Sequence, residues 1–161
     1  MSYRAAPGTT FSRRAATGAL IRGRWTLGRG RSRRQGKRLM VVTAASRDVV
    51  VPALGQADLL TELDGVVALE DVEAPQPHPE AYLTALEQLR LPPSQAVAFE
   101  DSRTGITAAR DAGITPTAVI GSLEEKVLRE LTEYTTQALV PELLGRSKDS
   151  RGPTIAPGFV R

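Results

Sequence analysis

Apolar positions along the chain fall into short runs separated by Gly- and Pro-marked turns, with stretches of helical spacing between them. Ala96-Val97-Ala98-Phe99 is one such run and reads as a buried strand. Directly after it, Ile106, Ala108, Ala109 and Ala112 form the small-residue face of a helix that packs tightly on a sheet, closed by Gly113 as its C-terminal cap. Upstream, Leu39-Met40-Val41-Val42 is a second apolar strand, running into Thr43-Ala44-Ala45-Ser46. Tyr82, Leu86 and Leu89 share one helical face with Leu83 and Ala85 beside it, and Pro79 suits that helix's first turn. Thr117 to Ile120 reads as a further strand. Residues 122–134 read as a helix with Ser122 as N-cap and Glu124-Glu125 in its first turn. Leu139-Val140 is expected as a last short strand. This alternation predicts an α/β fold, a doubly wound parallel sheet with right-handed crossovers. No internal repeat is present.

Charge divides the chain more sharply than hydropathy does. Residues 1–38 carry eleven Lys and Arg and no acid, whereas residues 39–161 carry ten against eighteen Asp and Glu. The net +3 therefore belongs to a basic leader, and the remainder is acidic. The expected organisation is a leader over 1–38, a core over 39–144 and a polar tail over 145–161, the leader and tail unpacked. Arg13-Arg14 and Arg29-Gly30-Arg31-Ser32-Arg33-Arg34 fit an arm that binds polyanions such as RNA. An Arg-rich, acid-free N-terminus is also the pattern of an organelle transit peptide. A third reading is that the leader replaces another N-terminus, and the abrupt start of the folded pattern near Lys37 favours it. The chain has no cysteine, which excludes thiolate chemistry and disulfides. Its single histidine, His78, lies in a proline loop and cannot make a His-rich metal site. No apolar run approaches membrane-spanning length. The expected location is cytoplasmic, with organelle targeting by the leader as the alternative.

Candidate chemistry gathers at strand ends. Glu100 and Asp101 follow the strand at 96–99, and carboxylates at the carboxyl end of a parallel strand lie where open α/β sheets bind ligands. Two of them together suit a hard cation such as Mg²⁺. Thr43 ends the other strand, and the small Ala44 and Ala45 leave backbone N–H groups free to approach an anion, with the Thr43 hydroxyl as a further donor. Between them lies Pro75-Gln76-Pro77-His78-Pro79, a turn ahead of a helix.

These three segments in this order resemble the haloacid dehalogenase (HAD) superfamily of phosphohydrolases, most closely its sugar-phosphate phosphatases and β-phosphoglucomutase-like enzymes. The resemblance spans about Lys37 to Gly121 and extends to Glu70-Asp71-Val72. It implies a HAD-like Rossmannoid parallel sheet with flanking helices. It also implies a small phosphorylated metabolite as substrate, Thr43 on the transferring phosphoryl group, and Mg²⁺ on Glu100 and Asp101. The Glu-Asp-Ser-x-x-Gly context of residues 100–105 is specific to it. Thr43, Gln76, Glu100 and Asp101 are then expected to converge at the carboxyl edge of one sheet.

Two departures from the family pattern bear on activity. Gln76 stands where the family carries a Lys that offsets phosphate charge, and a neutral amide cannot do so. The family's nucleophile motif, Asp-x-Asp-Gly-Thr or Val, belongs before Thr43, and residues 1–38 contain no acid at all. The first strand and cap domain that accompany that motif are therefore not expected. Glu62-Leu63-Asp64-Gly65-Val66-Val67 imitates the motif with Glu for Asp, but its position after the Thr43 strand argues against the role. The expectation is a family member inactive as this chain. The alternative is a non-catalytic protein that binds phosphate ligands at the remnant site or nucleic acid through its basic arm.

Overall fold

A computed structural model of the chain describes residues 37–120 and 123–136. The leader, the expected N-cap Ser122, the expected strand at Leu139-Val140 and the tail lie outside the described residues. Among the described residues five strands and four α-helices alternate: β1 (Met40–Val42), α1 (Arg47–Gln56), β2 (Gly65–Val67), α2 (Glu80–Leu89), β3 (Val97–Glu100), α3 (Arg103–Asp111), β4 (Thr115–Val119), α4 (Glu125–Leu131) and β5 (Tyr134–Thr136). Every strand pairing is parallel, as the alternation predicts. The described strands fall into two sheets, β1-β2 and β3-β4-β5, rather than one. Register is continuous in each, with Val42 opposite Val67, Glu100 opposite Ala118, and Thr117 opposite Tyr134.

The two faces of β1 show why helices lie on both sides. Side chains alternate along a strand. Val41 packs with Val50 and Leu54 of α1, while Val42 packs with α2 and α3. The larger cluster joins both sheets: Val42 and Val67 from one, Ala98 from the other, with Ala81, Tyr82 and Leu86 of α2 and the alanines of α3. Ala108 and Ala109 are fully buried, and their small size lets α3 approach the sheet closely. On α2, Tyr82, Ala85 and Leu86 of the expected face are buried, Leu89 is half-buried, and Leu83 beside it is exposed. Ile106, Ala118 and Leu128 seat α4 against α3 and β4.

Several boundaries differ from the sequence pattern for local reasons. Gly113 adopts φ +80°, a left-handed conformation that favours glycine, and ends the turn after α3. β4 begins at Thr115, two residues before the expected start, and so includes Pro116. Pairing with β5 starts only at Thr117, and the Pro116 carbonyl accepts from the Thr132 hydroxyl at 2.6 Å. The missing N–H of Pro116 therefore precedes the β4–β5 ladder. The final helix is shorter than expected, seven residues over Glu125–Leu131, and the chain turns at Thr132 into β5.

Candidate functional site

Thr43 follows β1 directly and is buried. Its N–H donates to the Val67 carbonyl at 2.9 Å, extending the ladder one residue beyond the strand. Its Oγ1 accepts from the Ala45 N–H at 3.1 Å, a hydroxyl-capped turn of the kind Thr favours. The Ala45 N–H thus points at Thr43 itself, and the Ala45 carbonyl accepts from the Leu69 N–H at 3.1 Å. Ala44, the third expected anion contact, is half-buried in the same turn.

This turn is clamped to the one after β2. Asp71 accepts from the Ala68 N–H at 2.7 Å and pairs with the Arg47 guanidinium, which also donates to the Val66 carbonyl at 3.2 Å. Glu70 accepts from the Arg47 N–H at 2.9 Å. Arg47 and Asp71 are supporting residues that the sequence pattern did not single out. Asp64, from the imitation of the nucleophile motif, is likewise structural: its Oδ2 accepts from the Leu39 N–H at 2.8 Å.

The proline loop is held from the helix behind it. Glu80, first residue of α2, accepts from the N–H groups of Glu73 and Ala74 at 2.9 and 2.8 Å. Those two bonds hold its carboxyl below the usual carboxylate range. His78 accepts from the Glu80 N–H at 3.3 Å and is exposed, a loop residue as its neighbours suggested. Gln76 lies inside the loop. Both ends of its amide are closed to solvent and have no hydrogen-bond partner among the described residues. An unsatisfied buried amide is costly, and such groups mark the place of a ligand or water.

Glu100 and Asp101 close β3, but they are not equivalent. Glu100 is wholly buried. Its Oε1 accepts from the Tyr82 hydroxyl, and its Oε2 has no hydrogen-bond partner among the described residues. The carboxyl fills the space where a side chain at 105 would begin, because a Cβ on Gly105 would overlap both oxygens and the carboxyl carbon. Desolvation raises its pKa to about 7, with the Asp101 charge adding to the rise and the Tyr82 bond opposing it. The same burial, with Glu100 beside it, pushes the Tyr82 hydroxyl well above 10. Asp101 is half-buried in the turn that follows. After it, Ser102 caps α3 by accepting the Gly105 N–H at 3.0 Å.

Glu100 and Asp101 are the two carboxylates that the resemblance puts on Mg²⁺. Glu100 offers one oxygen already bonded to Tyr82 and another packed against Gly105. Among the described residues no three acidic, His or Cys side chains are grouped as a metal site. Thr43 and Asp101 each follow the carboxyl end of a strand, though of different sheets. Among the described residues no helix is long and apolar enough to cross a membrane.

Comparison with known proteins matches this frame. A validoxylamine A 7'-phosphate phosphatase of Streptomyces hygroscopicus subsp. limoneus is 41% identical over 102 residues, covering 59% of this chain and 48% of that protein. A phosphorylated carbohydrates phosphatase of Thermotoga maritima is 36% identical over 77 residues, covering 48% of this chain and 36% of its own length. The chain thus spans about half the length, or less, of these curated relatives. Among solved structures, CbbY of Rhodobacter sphaeroides in complex with phosphate superposes with a TM-score of 0.54 at 33% identity, covering 58% of this chain and 44% of that one. The family model for haloacid dehalogenase-like hydrolases matches residues 32–119, more than half of the sequence and every segment from β1 to β4. The parallel strands, the strand-end Thr43, the proline loop and the acidic turn after β3 all fall within that match, and the chain belongs to the haloacid dehalogenase-like hydrolase family.

Proposed function

We propose that this chain is a HAD-like phosphatase or phosphomutase family member that binds small phosphorylated metabolites without turnover of its own. The observation that carries the reading is Gln76: a loop anchored by Glu80 holds an amide with both ends buried and unbonded, at the position where the family places its phosphate-facing Lys. An amide donates to a phosphoryl oxygen but supplies no charge. Thr43 is the second contact of that ligand, and Asp101 the acidic side of the site. The attacking carboxylate of the family has no counterpart in residues 1–38. Groups that act as a unit in catalysis are not replaced one at a time, so the supports alone bind without turning over.

The test is phosphatase turnover of the full chain with sugar phosphates and a generic aryl phosphate, in the Mg²⁺ that the family uses. It is paired with calorimetric titration of inorganic phosphate. The expected result is no turnover above background, with phosphate binding weakened by Gln76→Ala. Turnover that disappears in Asp101→Ala would refute the inactive reading. A second reading rests on the eleven basic residues of the leader. On it, the chain binds RNA with strong salt dependence and gives no phosphate titration.

A further inference from the structure

We infer that Gln76 reads the protonation state of its ligand: its amide pairs with a singly protonated phosphoryl group, donating to one oxygen and accepting from the P–OH. The site then takes the monoanion ahead of fully ionised or hydroxyl-free analogues. The inference rests on the reading that Gln76 faces a phosphoryl ligand, and it adds the class of ligand accepted there.

An amide has two sides. Nε2 donates and Oε1 accepts, and both are buried without a partner among the described residues. The Lys that the family carries at this position has three donors and no acceptor, so a phosphoryl group that is an acceptor on every oxygen satisfies it. The same group satisfies only half of Gln76. It sets an oxygen against Oε1 and leaves that acceptor buried and unbonded, which is costly. A neutral amide also supplies no charge to offset the second negative charge. One proton on the ligand answers both demands.

The loop cannot supply that donor itself. Pro75, Pro77 and Pro79 have no backbone N–H. The N–H groups of Glu73 and Ala74 donate to the Glu80 carboxylate at 2.9 and 2.8 Å. The His78 N–H donates to the Pro75 carbonyl at 3.1 Å, and the Glu80 N–H to His78 Nδ1 at 3.3 Å. From Glu73 to Glu80 only the Gln76 N–H is left, and it does not bond Oε1. The donor for Oε1 therefore comes from outside the loop, and a ligand hydroxyl provides it.

The experiment compares two anions of one shape and one charge. Methylphosphonate, singly protonated, carries a hydroxyl; methanesulfonate carries none. Each is titrated into the full chain at about pH 5, below the second ionisation of phosphoryl groups at about 6, with Mg²⁺ at one concentration throughout. The readout is the Gln76 side-chain NH₂ resonance and the Kd that its shift gives. Methylphosphonate is expected to bind about tenfold more tightly, the effect of leaving one buried acceptor without a donor. Gln76→Lys, with donors and no acceptor, is expected to bind both anions alike, followed by backbone resonances. Gln76→Met, with neither, is expected to weaken methylphosphonate to the level of methanesulfonate. Thermal melting checks that each variant is folded, and the wild-type comparison decides alone where one is not. Equal binding of the two anions by the wild type, with both weakened in Gln76→Ala, would overturn the inference and leave the phosphoryl-ligand reading standing. A preference that persists in Gln76→Lys would place the hydroxyl on another group and overturn it as well. A wild-type chain that binds neither anion would overturn both.

Discussion

Raising the pH from about 5 to about 8 should destabilise this protein, against the trend set by most paired carboxylates. The group responsible is Glu100. Its burial raises its pKa from 4.5 to about 7. The folded state therefore holds this proton more tightly than the unfolded chain does. Below the unfolded value both states are protonated, and the contribution is present in full. Between the two values the unfolded chain ionises while the folded protein does not, so stability falls as pH rises. Above the folded value both are ionised, and the contribution is gone. The interval between the two values, at 1.36 kcal/mol per unit, corresponds to about 3 kcal/mol. Glu80 acts in the opposite sense, since its carboxyl is held low by the N–H groups of Glu73 and Ala74, but its effect falls in acid, below this window. The assay is the urea midpoint of the wild type and Glu100→Gln across this range, with EDTA present. The wild-type midpoint should fall and the variant's stay level, because a neutral amide has nothing to titrate. A wild-type midpoint that is flat or rises, or a variant that falls in parallel, would refute the reasoning.

Two further substitutions probe what surrounds the site. Asp71→Ala removes the acceptor of the Ala68 N–H and the partner of Arg47, and should cost about 1–2 kcal/mol in urea unfolding, most of it from the lost backbone bond rather than the exposed ion pair. An unchanged midpoint would show that the two strand-end turns do not depend on this clamp. Leu54→Ala empties a fully buried position between α1 and β1, and should cost about 2–5 kcal/mol by the same measurement. A cost under about 1 kcal/mol would show that α1 is not packed on β1 as described.

What the sequence made legible was the part whose local signals agree. The apolar run ending at Phe99, the small-residue face at Ile106, Ala108 and Ala109, and Gly113 each say the same thing about strand, helix and cap. β3 and α3 lie within a residue or two of where that agreement puts them. Helix α1 went unrecognised because its signals conflict. Val49-Val50-Val51 is a β-branched run, and Pro52 follows inside the helix, where it removes a hydrogen bond. Packing of Val50, Ala53 and Leu54 outweighs both, and only tertiary structure shows it. The roles of Arg47 and Asp71 were illegible for a related reason, since their contact joins residues far apart in the chain. The division between one parallel sheet and two also depends on long-range pairing that periodicity does not encode.

Glu100 is the instructive case, because its signal was present and was outweighed by a motif. Read as a pair, Glu100 and Asp101 look like two equal ligands at a strand end. Read by the period of the strand, they cannot be equal. Ala98 is a core residue, and side chains two apart share a face, so Glu100 must enter the core if Ala98 does. A carboxyl sent into a core needs a hydrogen-bond donor and room. Tyr82 is the donor, on the buried face of the preceding helix, and Gly105 provides the room one turn into the following one. What approaches Gly105 is the Glu100 side chain. The Glu-Asp-Ser-x-x-Gly spacing thus carries a packing requirement between its first and last residues alongside any ligand its second residue holds.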